Sequence, residues 1–224
     1  MTQPAKTLDT KQRILNAAEK LFAEHGLAAT SLRAITAEAR VNLASVNYHF
    51  RSKEELIRAM YTRRLEPINH RRLDLLGAVE REAAPKPAPI AAILDALIGP
   101  LLEAKAEDDG AGVAILLGRV YAEPGGLAGQ MLREQMSEVA QRFGAALHRA
   151  LPKLPRAELA WRMHFIIGAL AHTMVAGKLL EFISNGECSA RDIEGARRQV
   201  TAFALAGLNA PSAKTANSSR SVKR

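Results

Sequence analysis

TSLRAITAEARVNLASVNYHFRSKEEL, residues 30–56, is the stretch whose reading decides the fold. Leu32, Ile35 and Ala39 recur at helical spacing and predict a short amphipathic helix. A break around Arg40 to Leu43 follows, and a second short helix is predicted from Leu43 to about His49. Two brief helices joined by a tight turn are a common way to set one helix in a DNA major groove. The second helix would present Asn42, Ala44, Ser45, Asn47, Tyr48 and His49, all small or hydrogen-bonding. Such side chains approach base edges and phosphates without burying an unpaired charge.

Working outward, the preceding helix is predicted to start at Asp9, whose carboxylate would cap while Gln12 reciprocates. Ile14, Leu15, Ala18, Leu21 and Phe22 form its apolar stripe, and Gly26 is placed to end it. After the two short helices, Ser52 and Glu55 have capping-box spacing for a fourth, with Leu56, Ile57, Met60 and Leu65 packing both backward and forward. A domain boundary is drawn near Glu66. AAPKPAP at 83–89 breaks the chain again. Helices are then expected over Ile90–Lys105, Val113–Ala122 and Leu127–Leu151, separated by AEDDG and EPGG. A long one follows over about Arg156–Ile183, and a last one has Ser189 and Asp192 as a capping pair. No segment alternates like a strand, so an all-α fold is expected. Its parts are a helix-turn-helix head with a linking helix (1–66), a helical ligand-binding and dimerisation body (67–208) and a basic, disordered tail (209–224).

The net charge of +8 is unevenly placed. Residues 1–66 hold 11 Lys/Arg against 7 Asp/Glu, and residues 67–208 hold 16 of each. The last sixteen residues add Lys214, Arg220, Lys223 and Arg224 with no acid. A basic head on a neutral body suits a molecule that meets phosphate at one end. The lone Cys188 excludes an intramolecular disulfide and fits a reducing compartment. The first residues have no apolar run of a signal peptide, and the longest apolar run, Met163–Gly177, is short for a membrane span. A cytoplasmic protein without membrane partners is expected.

The head resembles that of TetR-family transcriptional regulators. The match rests on Ile14, Ala18, Leu21, Phe22 and Gly26, then Ser31, Ile35, Ala39 and Val41, then His49, Phe50, Ser52, Lys53, Glu54 and Leu56. Two positions depart from the family pattern. Arg40 stands where the turn glycine is usual, so a positive φ there would strain it. Asn47 replaces a tyrosine two residues before His49. The resemblance implies a regulator of double-stranded palindromic DNA, without cofactor and without enzymatic activity. Ser31, Arg33, Tyr48, His49 and Lys53 are expected to anchor phosphates, and Asn42, Ala44, Ser45 and Asn47 to meet bases.

In the body, Trp161 to Val175 is apolar nearly all round and must be covered on more than one side. Small residues there would admit another helix, and the family's last two helices commonly dimerise. His164, Gly168, Ala171, His172, Val200 and Phe203 are therefore expected at a homodimer interface. His164 and His172 share a face but stand roughly 12 Å apart along the axis, too far for one metal ion. TetR-like bodies typically bind a small molecule. The candidates here are Leu97, Leu101, Leu117, Arg119, Tyr121, Phe143, Trp161, Phe165 and Met174, a mostly apolar set implying a hydrophobic or amphipathic effector. WRMHFIIGA (161–169) and VNLASVNYHF (41–50) are similar to the fatty-acid-responsive branch, in which Arg119, Arg133 or Arg162 would hold a carboxylate or phosphorylated head group. The alternative is a helical enzyme or interaction protein using its apolar body. No nucleophile elbow, phosphate loop or paired acids favour that alternative.

Overall fold

The computed structural model describes residues 9–107, 111–122 and 126–212, leaving aside the side chains of 107, 111, 115 and 119–122. Beyond residue 212 the expected basic tail lies outside the described residues. Ten helices are described: α1 (Thr10–His25), α2 (Leu32–Ala39), α3 (Leu43–Phe50), α4 (Lys53–Ala83), α5 (Ile90–Glu107), α6 (Ala111–Ala122), α7 (Leu127–Ala150), α8 (Arg156–Val175), α9 (Gly177–Ile183) and α10 (Ile193–Asn209). No strand occurs among the described residues.

In α1 the predicted stripe of Ile14, Leu15, Ala18, Leu21 and Phe22 is buried. Gly26 ends the helix at φ 87°, donating its N–H to Phe22 O at 3.0 Å. The Asp9–Gln12 capping box does not form. Asp9 occupies the cap position without a side-chain bond, and the Gln12 amide oxygen, expected to reciprocate, accepts instead from Arg63 Nη1 at 3.0 Å. At α4 half of the expected box is present: Ser52 Oγ accepts from Glu55 N at 3.1 Å, while the Glu55 carboxylate lies toward Arg58, 3.5 Å from its Nε.

The division drawn at residue 66 falls inside α4, which runs unbroken for 31 residues through Pro67. That is about 46 Å of helix. Pro67 removes one N–H from the ladder, but Leu65, Ile68 and Asn69 beside it are buried, and their packing holds the helix together. AAPKPAP separates α4 from α5 as expected.

α5 is the centre of the body and packs against α4, α7 and α10. Ile93 and Leu94 are buried, and from Ala96 to Leu102 every residue is, so the middle of the helix is enclosed. Its Pro100 also lacks a donor. One turn earlier, Leu97 O accepts a 2.8 Å bond from Arg72 Nε of α4.

The long helix expected over 156–183 is two helices, α8 and α9, meeting at an 88° bend. A Cβ on Gly177 would lie 2.5 Å from Ala190 Cβ, so the returning loop sits directly on the bend. α8 is not covered all round in this chain. Trp161 is 63% and Phe165 59% exposed, and the stretch enclosed all round is the middle of α5. α10 starts as expected, with Asp192 Oδ1 accepting from Gly195 N at 2.7 Å. Its end is held by Arg162 of α8, whose guanidinium donates to Gly207 O, Leu208 O, Ala210 O and Pro211 O within 2.7–3.0 Å. No single described helix is long and apolar enough to cross a membrane.

Replacing Arg162 with alanine leaves four carbonyls of the α10 terminus without this donor. The expected cost is about 2–3 kcal/mol, read as a fall of roughly 4–12 °C in Tm. An unchanged melting curve would show that the grip contributes nothing.

Candidate nucleic-acid interface

Three helix starts near one another in sequence are capped by side chains of the predicted stretch. Ser31 Oγ accepts from Ala34 N at 3.1 Å, Asn42 Oδ1 from Ser45 N at 2.8 Å, and Ser52 Oγ from Glu55 N at 3.1 Å. These caps fix α2 and α3 as short, sharply bounded helices. Val46 and Phe50 anchor α3 in the head core with Ile35 and Ala39 of α2. The turn between them has Arg40 in the left-handed region at φ 53°, ψ 48°, as its place in the family pattern implied. That conformation is held from outside: Arg13 of α1 donates to Ala39 O at 2.7 Å and Arg40 O at 2.8 Å. Arg51, after α3, has φ 59° as well.

The outer edge of α3 carries Leu43, Ala44, Asn47 and Tyr48, and Tyr48 is 84% exposed. The rings of Tyr48 and His49 meet edge-on at 5.1 Å, which orients the tyrosine. Asn42 and Ser45 differ from their expected role. The Asn42 carbonyl oxygen serves both Ser45 N and Ser45 Oγ, so this pair builds the start of α3 and keeps only its remaining polar valences for DNA. Ser31 is likewise a cap; it and Arg33 are exposed, and Lys53 is half-buried.

Charge pairing sorts the cations of the head. Lys20 is bound to Glu38, Arg58 to Glu134, and Arg63 and Arg64 to Glu19. Among the described residues, Arg33, Arg40, Arg51 and Lys53 have no carboxylate partner and cluster in sequence around the α2–α3 unit. Sequence reading missed Leu43, Arg13 and Arg51. Leu43 looked like a helix start, Arg13 acts from 26 residues away, and the only signal at Arg51 was its place between Phe50 and the Ser52 cap.

Besides the Arg58–Glu134 pair, two ties at mostly buried side chains fasten the head to the body. Glu19 of α1 is mostly buried between Arg63 and Arg64 of α4, with N–O distances of 2.6 and 2.5 Å. Tyr61 of α4, fully buried, donates its hydroxyl to Leu116 O of α6 at 3.4 Å. Further along α4, Arg72 is 3% exposed and pairs with no carboxylate. Burial lowers its pKa to about 10. It bonds Leu97 O and Asn69 Oδ1, and Asn69 donates on to Gln135 O of α7 at 2.8 Å.

The expected effector residues divide. Leu97, Leu101, Phe143 and Met174 are buried in the core shared by α5, α7 and α8, and Leu117 is half-buried. Trp161 and Phe165 stack on each other at 5.7 Å on the outside of α8, not around an interior cavity. The side chains of Arg119 and Tyr121 lie outside the described residues. Arg162 is occupied by the α10 terminus and Arg133 is exposed on α7. Of the expected interface set, His164, His172 and Phe203 are exposed, and Val200 and Gly168 are half-buried, with open space where a Gly168 Cβ would go. Ala171 is buried and faces the core, one helical step off the exposed stripe.

Comparison with known proteins gives two family matches. Residues 14–60 match the bacterial regulatory proteins of the tetR family, and residues 95–207 match the tetracyclin repressor-like C-terminal domain. The HTH-type transcriptional regulator UidR of Escherichia coli (strain K12) is 41% identical over 51 residues, 23% of this chain and 26% of that protein, so the likeness spans about a quarter of the relative. Among solved structures, a Clostridium perfringens protein described as a fatty acid metabolism regulator aligns with TM-score 0.64 and 20% identity over 87% of this chain and 97% of that one. SmeT, the repressor of the Stenotrophomonas maltophilia multidrug efflux pump SmeDEF, aligns with TM-score 0.60 and 23% identity over 92% and 95%. FadR of Bacillus subtilis, in complex with stearoyl-CoA, aligns with TM-score 0.60 and 15% identity over 88% and 98%.

Arg40→Gly should relieve the left-handed turn and raise stability by about 1 kcal/mol net of the added freedom of the unfolded chain. A rise of roughly 2–4 °C in Tm measures it, and a fall would mean that the arginine side chain, not its backbone, sustains the turn.

Proposed function

Because this chain belongs to the TetR family of DNA-binding transcriptional regulators, we propose that it acts as a two-fold homodimer on a palindromic operator and is released by a small hydrophobic or amphipathic effector. One observation carries this reading. The capped α2–turn–α3 unit, with its exposed Asn47 and Tyr48 and its four unpaired cations, stands at one end of a helix that the effector-binding body shares. The enzyme alternative has no support from the family or from the site.

α3 enters the major groove with Ala44 and Asn47 toward the bases. Tyr48, His49, Arg33, Lys53 and the start of α2 at Ser31 take phosphates. Backbone contacts set register and base contacts set sequence. Dimerisation is supported by the outer stripe of α8, where Trp161, Phe165 and His172 recur at helical spacing, and by Phe203 on α10, 64% exposed. Joining these faces across a two-fold removes a large apolar area from water. The two copies of α3 then serve half-sites about 34–36 Å apart.

Release requires an effector that prefers one setting of the body over the other. Leu97, Leu101, Phe143 and Met174 are where an apolar chain would lodge, and α4 would carry the shift through Glu19 to the head. Two of the similar structures favour fatty acids or their coenzyme A thioesters as effectors: one is described as a fatty acid metabolism regulator and one is bound to stearoyl-CoA. This regulator works in the cytoplasm, where operator and acyl thioesters meet.

On an operator selected from random duplexes, Tyr48→Ala should weaken binding to every sequence alike. Asn47→Ala should change preference at one base pair by about 1–3 kcal/mol. Equal losses on all duplexes from both variants would overturn the division of readout. Arg33→Ala should reduce the slope of log affinity against log salt by about one. Titrating the complex with long-chain acids and their coenzyme A thioesters should free the DNA, and release by neither would remove the effector class. A sedimentation experiment giving only monomer would remove the two-fold arrangement.

A further inference from the structure

The outer side of the α7–α8 pair holds an open groove of about 640 Å³. The two helices run antiparallel through the 151–155 turn, so the order of the lining residues gives the groove a polarity. Ala140 and Ile167 lie at the far end, and His148, Arg149 and Arg156 lie at the turn. Between them the wall is Gly144, Ala145, Leu159 and Met163, apolar throughout. A Cβ on Gly144 would meet nothing within 4 Å, so the floor is open there. From 140 to 148 the wall extends about 12 Å.

The turn end is cationic. Arg156 is exposed and has no ion pair among the described residues, and Lys153 stands exposed in the turn. Arg149 shares Glu80 with Arg142, so that carboxylate is already matched by two guanidinium groups. Glu158 is taken by Arg162 at 2.6 Å. Nδ1 of His148 is buried and without a hydrogen-bond partner. The first turn of α8 has no side-chain cap, since its cap residue is Pro155, and its free N–H groups add positive potential.

We propose that this groove binds an amphipathic anion, a single acyl or alkyl chain lying along the apolar wall with its carboxylate or phosphate head at His148, Arg149 and Arg156. The groove shares no residue with the Leu97, Leu101, Phe143 and Met174 core and is a second seat for the same class of ligand; it rests on the effector reading for regulatory meaning, but binding itself does not require that reading. A cationic or neutral amphiphile lacks the matching head. A second copy of this chain would also fit an apolar groove, yet nothing apolar in it calls for the positive end.

The test is calorimetric titration of the full chain with dodecanoate, dodecanol and dodecyltrimethylammonium, each below its micelle concentration. Dodecanoate should bind once per chain and the ammonium amphiphile at least tenfold more weakly. Ala145→Trp, which fills the groove from an exposed position, should weaken dodecanoate binding at least tenfold. Arg156→Glu should do so too, whereas Lys86→Glu, exposed in the segment between α4 and α5, should not. Equal binding of anion and cation, or wild-type affinity in Ala145→Trp and Arg156→Glu, would overturn the site. So would dissociation of a dimer in Ala145→Trp without ligand, which would make the groove a seat for the second copy. Dodecanoate bound as expected but without effect on the operator complex would keep the groove and remove the effector reading. DNA release that survives in Ala145→Trp would do the reverse.

Discussion

The rest of the structure leans on one carboxylate at the joint between the first helix and the long helix that the head and body share. Glu19 of α1 is enclosed by Arg63 and Arg64 of α4, with N–O distances of 2.6 and 2.5 Å. Two guanidinium groups on one largely buried carboxylate give short, directional bonds where apolar packing alone would allow sliding. α1 in turn holds the left-handed turn of the reading unit through Arg13. A chain of named bonds (α4 to Glu19, α1 to Arg13, and Arg13 to the end of α2) thus adds to the Val46 and Phe50 packing that seats α3.

This arrangement also explains how the cations are distributed. Those that build the molecule are spent on carboxylates or carbonyls: Lys20, Arg58, Arg63, Arg64 and Arg162. Of those without a carboxylate partner, Arg33, Arg40, Arg51 and Lys53 stand around α2 and α3, where a polyanion would meet them, and Lys153 and Arg156 stand at the α7–α8 turn. The head thus has a smaller free positive surface than its composition suggests, and that surface is concentrated at the recognition edge.

The head was largely legible in the sequence because its helices are short, capped by Ser31, Asn42 and Ser52, and packed on stripes at helical spacing. What the sequence does not show are shared partners. Gln12, expected in a capping box, is claimed by Arg63, and Asn42, expected to meet bases, also gives its carbonyl oxygen to the start of α3. In the body, element existence was legible and continuity was not. The boundary drawn near Glu66 falls inside a helix that buried neighbours carry through Pro67, whereas the 156–183 run suggested one helix because nothing local announces that Gly177 meets Ala190 from the returning loop. Trp161 and Phe165 looked like core because apolarity alone does not say whether the cover comes from the same chain.

The polar ties of α4 bear on how it could move. Arg72 to Leu97 O, Asn69 to Gln135 O and Gln135 to Thr62 are bonds of fixed length set in an apolar seam. A helix held only by greasy contacts could creep by fractions of an ångström. Held by these, it behaves like a shaft with detents: displacement is resisted until the bonds give, and then a new seat must be found in which the buried guanidinium again meets oxygen. Motion between two seats, not graded drift, is the mechanical signature such a seam imposes.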